Sequence, residues 1–433
     1  MKILELENEY NRSRFINYLN DTLLQDFSLD ERDIELDANS IFTSMKHLDT
    51  SDSCEISVFE AVCLEKDSGK RIAITQNAFR VLRQHGVSNA LVAFTHGKEQ
   101  WRFSLLTSKL EYTDGKLVSK QSNPHRYSYL LGKGTKTHTP FKYLIERGRV
   151  TSLDELMQRF SVEVVNKQFY DEIAKHFTEL VGGERNEQRY DGLLNIYSVV
   201  KPSAKYQEFA VRLIGRIMFC WFLKEKKSAA GIPLVPEQIL SQNAVLENSG
   251  YYHTTLEPLF FETLNTRYKR RKDIFKNGKY TRIPYLNGGL FAPQTGDYYK
   301  FNAALNNGTF GVVTIPDDWF VSLFGVLERY SFTVDENTAY DVELSIDPEM
   351  LGRIFENLLA EINPETGESA KKNTGSFYTP RDIVDYMVDK SLFHYLKENT
   401  MLANDKLTAL ISYGKDDDNE FMLTASNCSV NNN

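Results

Sequence analysis

Apolar positions along this chain follow two different periods, and the change falls near residue 150. Phe15, Leu19, Leu23 and Leu24 sit at helical spacing and predict a helical stretch within residues 1–30. Residues 55–63 (EISVFEAVC) read as a strand, Gln76–His85 as a helix, and Ala90–Phe94 as a buried strand. Trp101–Thr107 alternates like a half-buried strand, and Asp114 with Gly115 supplies a hairpin turn before Lys116. This order predicts an N-terminal α/β module over residues 1–145, built on a small mixed sheet. Residues 123–140 read as a polar, turn-rich connector. Gly132, Lys133 and Gly134 within it lack the spacing of a phosphate-binding Walker loop and are read as a turn.

Beyond residue 150 the period is helical. Ser152 and Glu155 form a capping-box pattern, and Val165, Phe169, Ile173 and Phe177 mark one helix face that stops at Gly182 and Gly183. Residues 206–223 are apolar nearly all round and predict a buried helix, closed by the basic run Lys224–Lys227. Further helices are expected over Leu256–Leu264, Trp319–Tyr330, 348–362 and 380–397. The expected fold is α+β: the α/β module, a mainly α-helical connector over 146–345, helices over 346–400, and a tail over 401–433. Residues 414–433 are too polar to build a core, and the tail is expected to be disordered.

Composition narrows the class without naming an activity. A 41% hydrophobic and 25% charged chain is ordinary for a globular protein, and a net charge of −8 excludes a uniformly basic nucleic-acid coat but permits a local basic groove. Cys54, Cys63, Cys220 and Cys428 are scattered, so no disulfide framework or zinc site is expected. The first residues are too acidic for a signal peptide, and the apolar run Ile217–Leu223 is too short to span a bilayer. A cytoplasmic protein with no membrane partner is the expectation.

The richest local pattern is GSFYTP at residues 375–380. Thr379 suits an N-cap, Pro380 the first helical position, and Asp382 follows three residues after the cap. Ile383, Val384, Met387, Val388 and Leu392 then mark an apolar helix face. Phe377 and Tyr378 stand at the mouth of that helix, beside unpaired N–H groups that suit a flat, partly anionic ligand. An ordinary capped helix carries the same spacing.

GSFYTP resembles the G-x-[FY]-[YF]-T-P element of adenine-specific DNA methyltransferases, and residues 347–363 (DPEMLGRIFENLLAEIN) resemble the helix that leads into it in type IIG restriction–modification proteins. Those proteins fuse a nuclease to an adenine-N6 methyltransferase. Residues 123–132, 160–170, 213–223 and 286–291 look like further landmarks of the same group, in order, so the resemblance covers about 55–400. It implies that Phe377, Tyr378, Thr379 and Pro380 pack against S-adenosylmethionine, that the helical connector helps to hold duplex DNA, and that the full-length family methylates adenine N6.

Two departures limit what the resemblance implies. The D-P-x-x-G-S-G loop and the N-P-P-[YF] loop of the methyltransferase core are both missing, so a chain truncated before the catalytic motifs is expected, with no catalytic residue and S-adenosylmethionine bound weakly or not at all. The nuclease signature is also poor. A Mg²⁺-dependent site of the PD-(D/E)xK type needs Glu-x-Lys on a central strand, whereas Glu60, Ala61 and Val62 place Val where Lys belongs. Glu65 and Lys66 are adjacent, Glu225 and Lys227 stand at a helix end, and the eight His residues show no ligand spacing; no metal site is assigned.

Residues 266–282 carry Arg267, Lys269, Arg270, Arg271, Lys272, Lys276, Lys279 and Arg282 against one acid, Asp273, with Tyr268, Phe275 and Tyr280 interleaved. Such a run is either a solvated face or a DNA-binding surface. Three readings follow: a methyltransferase-related chain inactive alone, a DNA-binding scaffold beside a separate methyltransferase or specificity subunit, and a Mg²⁺-dependent DNA endonuclease.

Overall fold

The computed structural model describes residues 6–64, 70–97, 99–113, 116–197, 199–201, 204–228, 231–286, 289–298, 313–333, 341–361 and 381–412. The chain divides into two compact units, Met1–Ala370 and Lys371–Asn433.

The first unit begins with α1 (Arg12–Tyr18), then β1 (Arg32–Asp33), β2 (Phe42–Ser51), β3 (Ile56–Cys63), α2 (Arg71–Gln84), β4 (Asn89–Thr95), β5 (Gln100–Thr113) and β6 (Lys116–Gly132). The strands lie side by side in chain order. Neighbours are antiparallel except β3 and β4, which run parallel and are joined through α2. Successive side chains alternate between faces, and both faces are covered. Ile56, Val58, Leu91, Ala93, Phe103, Leu105 and Tyr129 share a core with Phe15, Leu19 and Leu23, while Phe59, Ala61, Val92 and Phe94 pack with Ile74, Ala78 and Phe79 of α2. Burial on both faces is why Ala90–Phe94 reads as one apolar run, and why Trp101–Thr107 is more enclosed than its alternation implies.

Two expectations change here, and one strand was not anticipated. The helix within residues 1–30 is confined to α1 and a π-helical turn, Leu19–Leu23, after which Leu24 bridges Val150 in extended form. β2 has no clear period, because bulges between Phe42 and Ser44 and between His47 and Asp49 break its alternation. Residues 123–132 are strand, not connector: Arg126 and Ser128 point polar groups into the interior, and Pro124 sits where the β5–β6 register skips between Thr107 and Lys109. Gly132 does end that strand in a turn; a Cβ there would stand 2.1 Å from the Glu99 carbonyl oxygen. The hairpin joins as expected, with Thr113 opposite Lys116, while Asp114 and Gly115 lie outside the described residues.

The chain then turns helical. α3 (His138–Pro140) runs into a π-helical segment, Phe141–Glu146, followed by α4 (Leu153–Arg159), where the Ser152 hydroxyl accepts from the Glu155 N–H at 3.2 Å. α5 (Val162–Val181) buries Val165, Phe169, Ile173 and Phe177, and stops at Gly182 (φ 89°). The hairpin β7 (Gly183–Arg185) and β8 (Gln188–Tyr190), β9 (Asn195–Ile196), α6 (Ala204–Glu225) and α7 (Gln242–Leu246) follow. Next come π-helical turns Tyr252–Leu256 and Pro258–Leu264, β10 (Val313–Thr314) paired to β9, and α8 (Asp317–Arg329). α6, largely buried, centres a core that includes Phe169, Ile214, Trp221, Phe260 and Phe324. At its end the Lys224 ammonium donates to the Leu240 carbonyl at 2.7 Å and lies over the Trp221 ring.

β11 (Asp341–Glu343) then leaves the helical part and pairs in parallel with β6, completing a seven-stranded sheet, before α9 (Pro348–Glu361) returns to the helical core through Met350, Ile354 and Leu358. The second unit holds α10 (Arg381–Asn399) and α11 (Asn404–Ser412), the latter within the stretch expected to be a tail. Residues 413–433 lie outside the described ones. Among the described residues no helix is long and apolar enough to cross a membrane.

A buried ionic network fixes β11. Asp341 accepts from Arg71 Nε at 3.0 Å and from the Thr75 hydroxyl at 3.2 Å, and it stands 3.5 Å from Arg126 Nη1. Arg126 has no exposed surface; burial pulls its pKa down and Asp341 opposes that shift. Asp341→Ala leaves this guanidinium buried without its carboxylate. The expected loss is about 3–5 kcal/mol of unfolding free energy in urea titration, and a loss below about 1 kcal/mol would show that the network is dispensable.

Candidate nucleic-acid interface

Glu60 lies on β3, near the centre of the sheet, with its side chain almost fully buried. Its Oε2 accepts from Arg12 Nε at 2.8 Å. Arg12, at the start of α1, also pairs with Glu31; these two carboxylates, Glu60 first, raise its pKa. The cross-strand neighbour of Glu60 on β2 is Lys46, whose own neighbour on β1 is Asp33. Lys46 pairs with Glu31, and with Asp33 at 3.4 Å. Its ammonium lowers the pKa of Glu31 more than Arg12 does. Tyr10 closes the cluster: burial, then the charge of Glu60, drives its phenol pKa well up.

So a lysine does stand beside Glu60, from the neighbouring strand rather than two positions along its own. The sequence concealed this because β2 is not legible as a strand. In this arrangement Glu60 is neutralised by Arg12, and Lys46 is held by acids. Glu55 sits in the β2–β3 turn with φ 50°. Among the described residues no group of three or more His, Cys, Asp and Glu is placed to hold a metal ion.

The basic segment is a chain of short 3₁₀ turns, Tyr268–Arg270, Asp273–Phe275 and Gly278–Tyr280. Its aromatic residues divide. Phe275 and Tyr280 meet edge-on at 5.2 Å and turn toward the helical core, which removes them as stacking platforms, whereas Tyr268 stays exposed. Its cations divide too. Arg267, Lys269, Arg270, Lys272 and Arg282 are exposed, and among the described residues only Lys272 of these has an acid partner, Glu262 at 3.4 Å. Lys276 pairs with Asp273 at 2.9 Å. Lys279 is half-buried, and burial lowers its pKa against the pull of Glu247. Arg271 is turned inward with 3% of its surface exposed. Four exposed cations, Arg267, Lys269, Arg270 and Arg282, thus stand without an acid partner among the described residues, Arg267 lying over the Tyr285 ring, on a chain of net charge −8.

The chain following this segment is pinned to α6. Asp297, fully buried, accepts from both terminal nitrogens of Arg216 at 2.9 Å, from Arg212 Nε at 3.0 Å and from the Gln294 N–H at 2.8 Å. Burial raises the Asp297 pKa, but Arg216 and these other partners outweigh it and hold the carboxyl below its usual range. Asn287 and Gly288 lie outside the described residues, and so do Phe377, Tyr378, Thr379 and Pro380. The apolar face expected after them is on α10, where Ile383, Val384, Met387 and Val388 are exposed.

His125 stacks on Tyr127. His138 packs against Tyr330 and lines a cleft of about 570 Å³ with Lys136, Arg329, Glu7 and Glu328. Two acids and two bases balance there, so no ligand charge is selected.

No family model and no solved structure matches the chain. A protein of Methanocaldococcus jannaschii named "Putative type II restriction enzyme and methyltransferase" is 33% identical to it over 195 residues, covering 43% of this chain and 14% of that protein. The chain therefore matches only about a seventh of that relative's length. This similarity bears out the resemblance to restriction–modification proteins that the sequence motifs carry.

Proposed function

We propose that this chain is the DNA-engaging part of a type IIG-like restriction–modification protein, and that the methyltransferase of that system moves a methyl group from S-adenosylmethionine to adenine N6 in duplex DNA. The observation that carries the reading is the ordered pair of motifs at 347–363 and 375–380, in a chain similar to a relative whose name joins a restriction enzyme to a methyltransferase. Phe377, Tyr378, Thr379 and Pro380 form one wall of a cofactor site in this reading. The acidic, glycine-rich loop that would hold the methionine and ribose is not in the sequence, so the residues present do not complete such a site.

The basic segment supplies the DNA contact. Its free cations neutralise phosphates and release counterions, a contribution that does not depend on base sequence. A second reading, a Mg²⁺-dependent endonuclease, draws on the placement of Lys46 opposite Glu60. Ion pairing of Glu60 to Arg12 weighs against it, because a carboxylate already neutralised offers less to a cation.

Three outcomes follow. With labelled S-adenosylmethionine and mixed-sequence duplex, the purified 433-residue chain shows no methyl transfer; incorporation above a no-protein control would sink the inactive reading. The chain binds a mixed-sequence duplex at low salt, and Lys269→Glu with Arg270→Glu flattens the log K against log salt plot by about two units; an unchanged slope would exclude this segment as the contact. Plasmid incubated with the chain and Mg²⁺ stays intact, whereas cleavage that is lost on Glu60→Ala would establish the endonuclease reading instead.

A further inference from the structure

Four arginines are deeply buried among the described residues: Arg126, Arg159, Arg216 and Arg271. Three of them meet a carboxylate. Arg126 stands 3.5 Å from Asp341, Arg159 pairs with Glu155 at 2.6 Å, and Arg216 with Asp297 at 2.9 Å. Arg271 is the exception. Its Nε donates to the Thr266 carbonyl at 3.0 Å, while both terminal nitrogens are buried without an acceptor among the described residues. The one acid within the basic segment, Asp273, is committed to Lys276. A buried guanidinium with no counter-charge is costly, and such a group in a native fold calls for an explanation.

We propose that Arg271 is a receptor for one phosphate group of a nucleic-acid backbone, with Tyr268 as its cover. The Tyr268 ring lies on the guanidinium, 5.6 Å from centroid to Cζ, and is itself 49% exposed. Its hydroxyl makes a long hydrogen bond of 3.3 Å to the Lys276 carbonyl, in solvent, so little holds it in place. Displacing the ring opens a cation whose two free terminal amino groups match two phosphate oxygens. Arg267, Lys269, Arg270 and Arg282 around it gather a polyanion before that contact forms. The exposed cations thus act as a collecting field, and Arg271 as a fixed point of register within it. The assignment to a nucleic-acid backbone rests on the DNA reading above; the phosphate site itself does not.

Two measurements on the full chain test this, using the near-isosteric Arg271→Met. In thermal unfolding, inorganic phosphate raises the midpoint of the native chain but not of Arg271→Met, compared with chloride at equal ionic strength. Without phosphate, Arg271→Met unfolds at the native temperature or above it. An equal phosphate response in both proteins overturns the receptor. If Arg271→Met does not fold, Arg271→Lys serves: it keeps the charge, and a lost two-point contact shows as a smaller phosphate response, while an equal response overturns the receptor. In duplex titration, Arg271→Met makes the salt dependence shallower by about one unit. An unchanged slope with the phosphate response intact overturns the backbone assignment in favour of a free phosphate. Absence of any duplex binding, with the phosphate response intact, overturns the DNA reading and leaves the phosphate receptor standing.

Discussion

The first unit is held by a carboxylate that arrives late in the chain. Asp341 enters the sheet on β11, takes hydrogen bonds from α2 through Arg71 and Thr75, and faces the fully buried Arg126 of β6. Without that charge, β6 would carry an arginine inside the fold with only hydroxyl and carbonyl acceptors, from Thr75, Ser104 and Arg71. With it, the sheet gains its seventh strand, and the segment leading into α9 is tied to a sheet whose other strands lie in the first third of the sequence. Sheet and helical core are therefore coupled through the backbone of β11 and through one ionic contact set.

A second constraint is the segregation of charge. The chain is acidic overall, yet four cations of the 266–282 segment stand without acid partners among the described residues. Around Glu60 the opposite holds: both cations, Arg12 and Lys46, are closed off by the three carboxylates Glu60, Glu31 and Asp33. Cations closed off in this way present no outward positive field, whereas an open set keeps one that an anion can satisfy. That contrast, more than the count of basic residues, separates the segment proposed to meet DNA from the one that holds a fold together.

Much of the architecture was legible in the pattern. α5, α6, α8 and α9 were expected near their observed bounds because each buries a helical stripe, β4 because its apolar run is continuous, and β3 because it is rich in apolar residues. β2, the second half of β6 and β11 were not. β2 is interrupted by bulges, β6 hides Arg126 and Ser128 inside, and β11 is three residues long with two acids. Each of these strands exists because a distant segment satisfies its polar groups, and no local period records that. The site was split in the same way. The basic run was visible as composition, but the inward turn of Arg271, Phe275 and Tyr280 was not.

By itself the sequence determined the repeating local structure, the absence of the two methyltransferase loops, and the motif order shared with restriction–modification proteins. These are properties of neighbours in the chain, where spacing alone sets which side chains share a face. Only the tertiary structure decided that Lys46 stands opposite Glu60, that Asp341 neutralises Arg126, and that Arg271 alone among the four deeply buried arginines described lacks a carboxylate. Burial and ion pairing depend on groups far apart in sequence that meet only when the chain has folded, so the sequence lists these charges without ranking them.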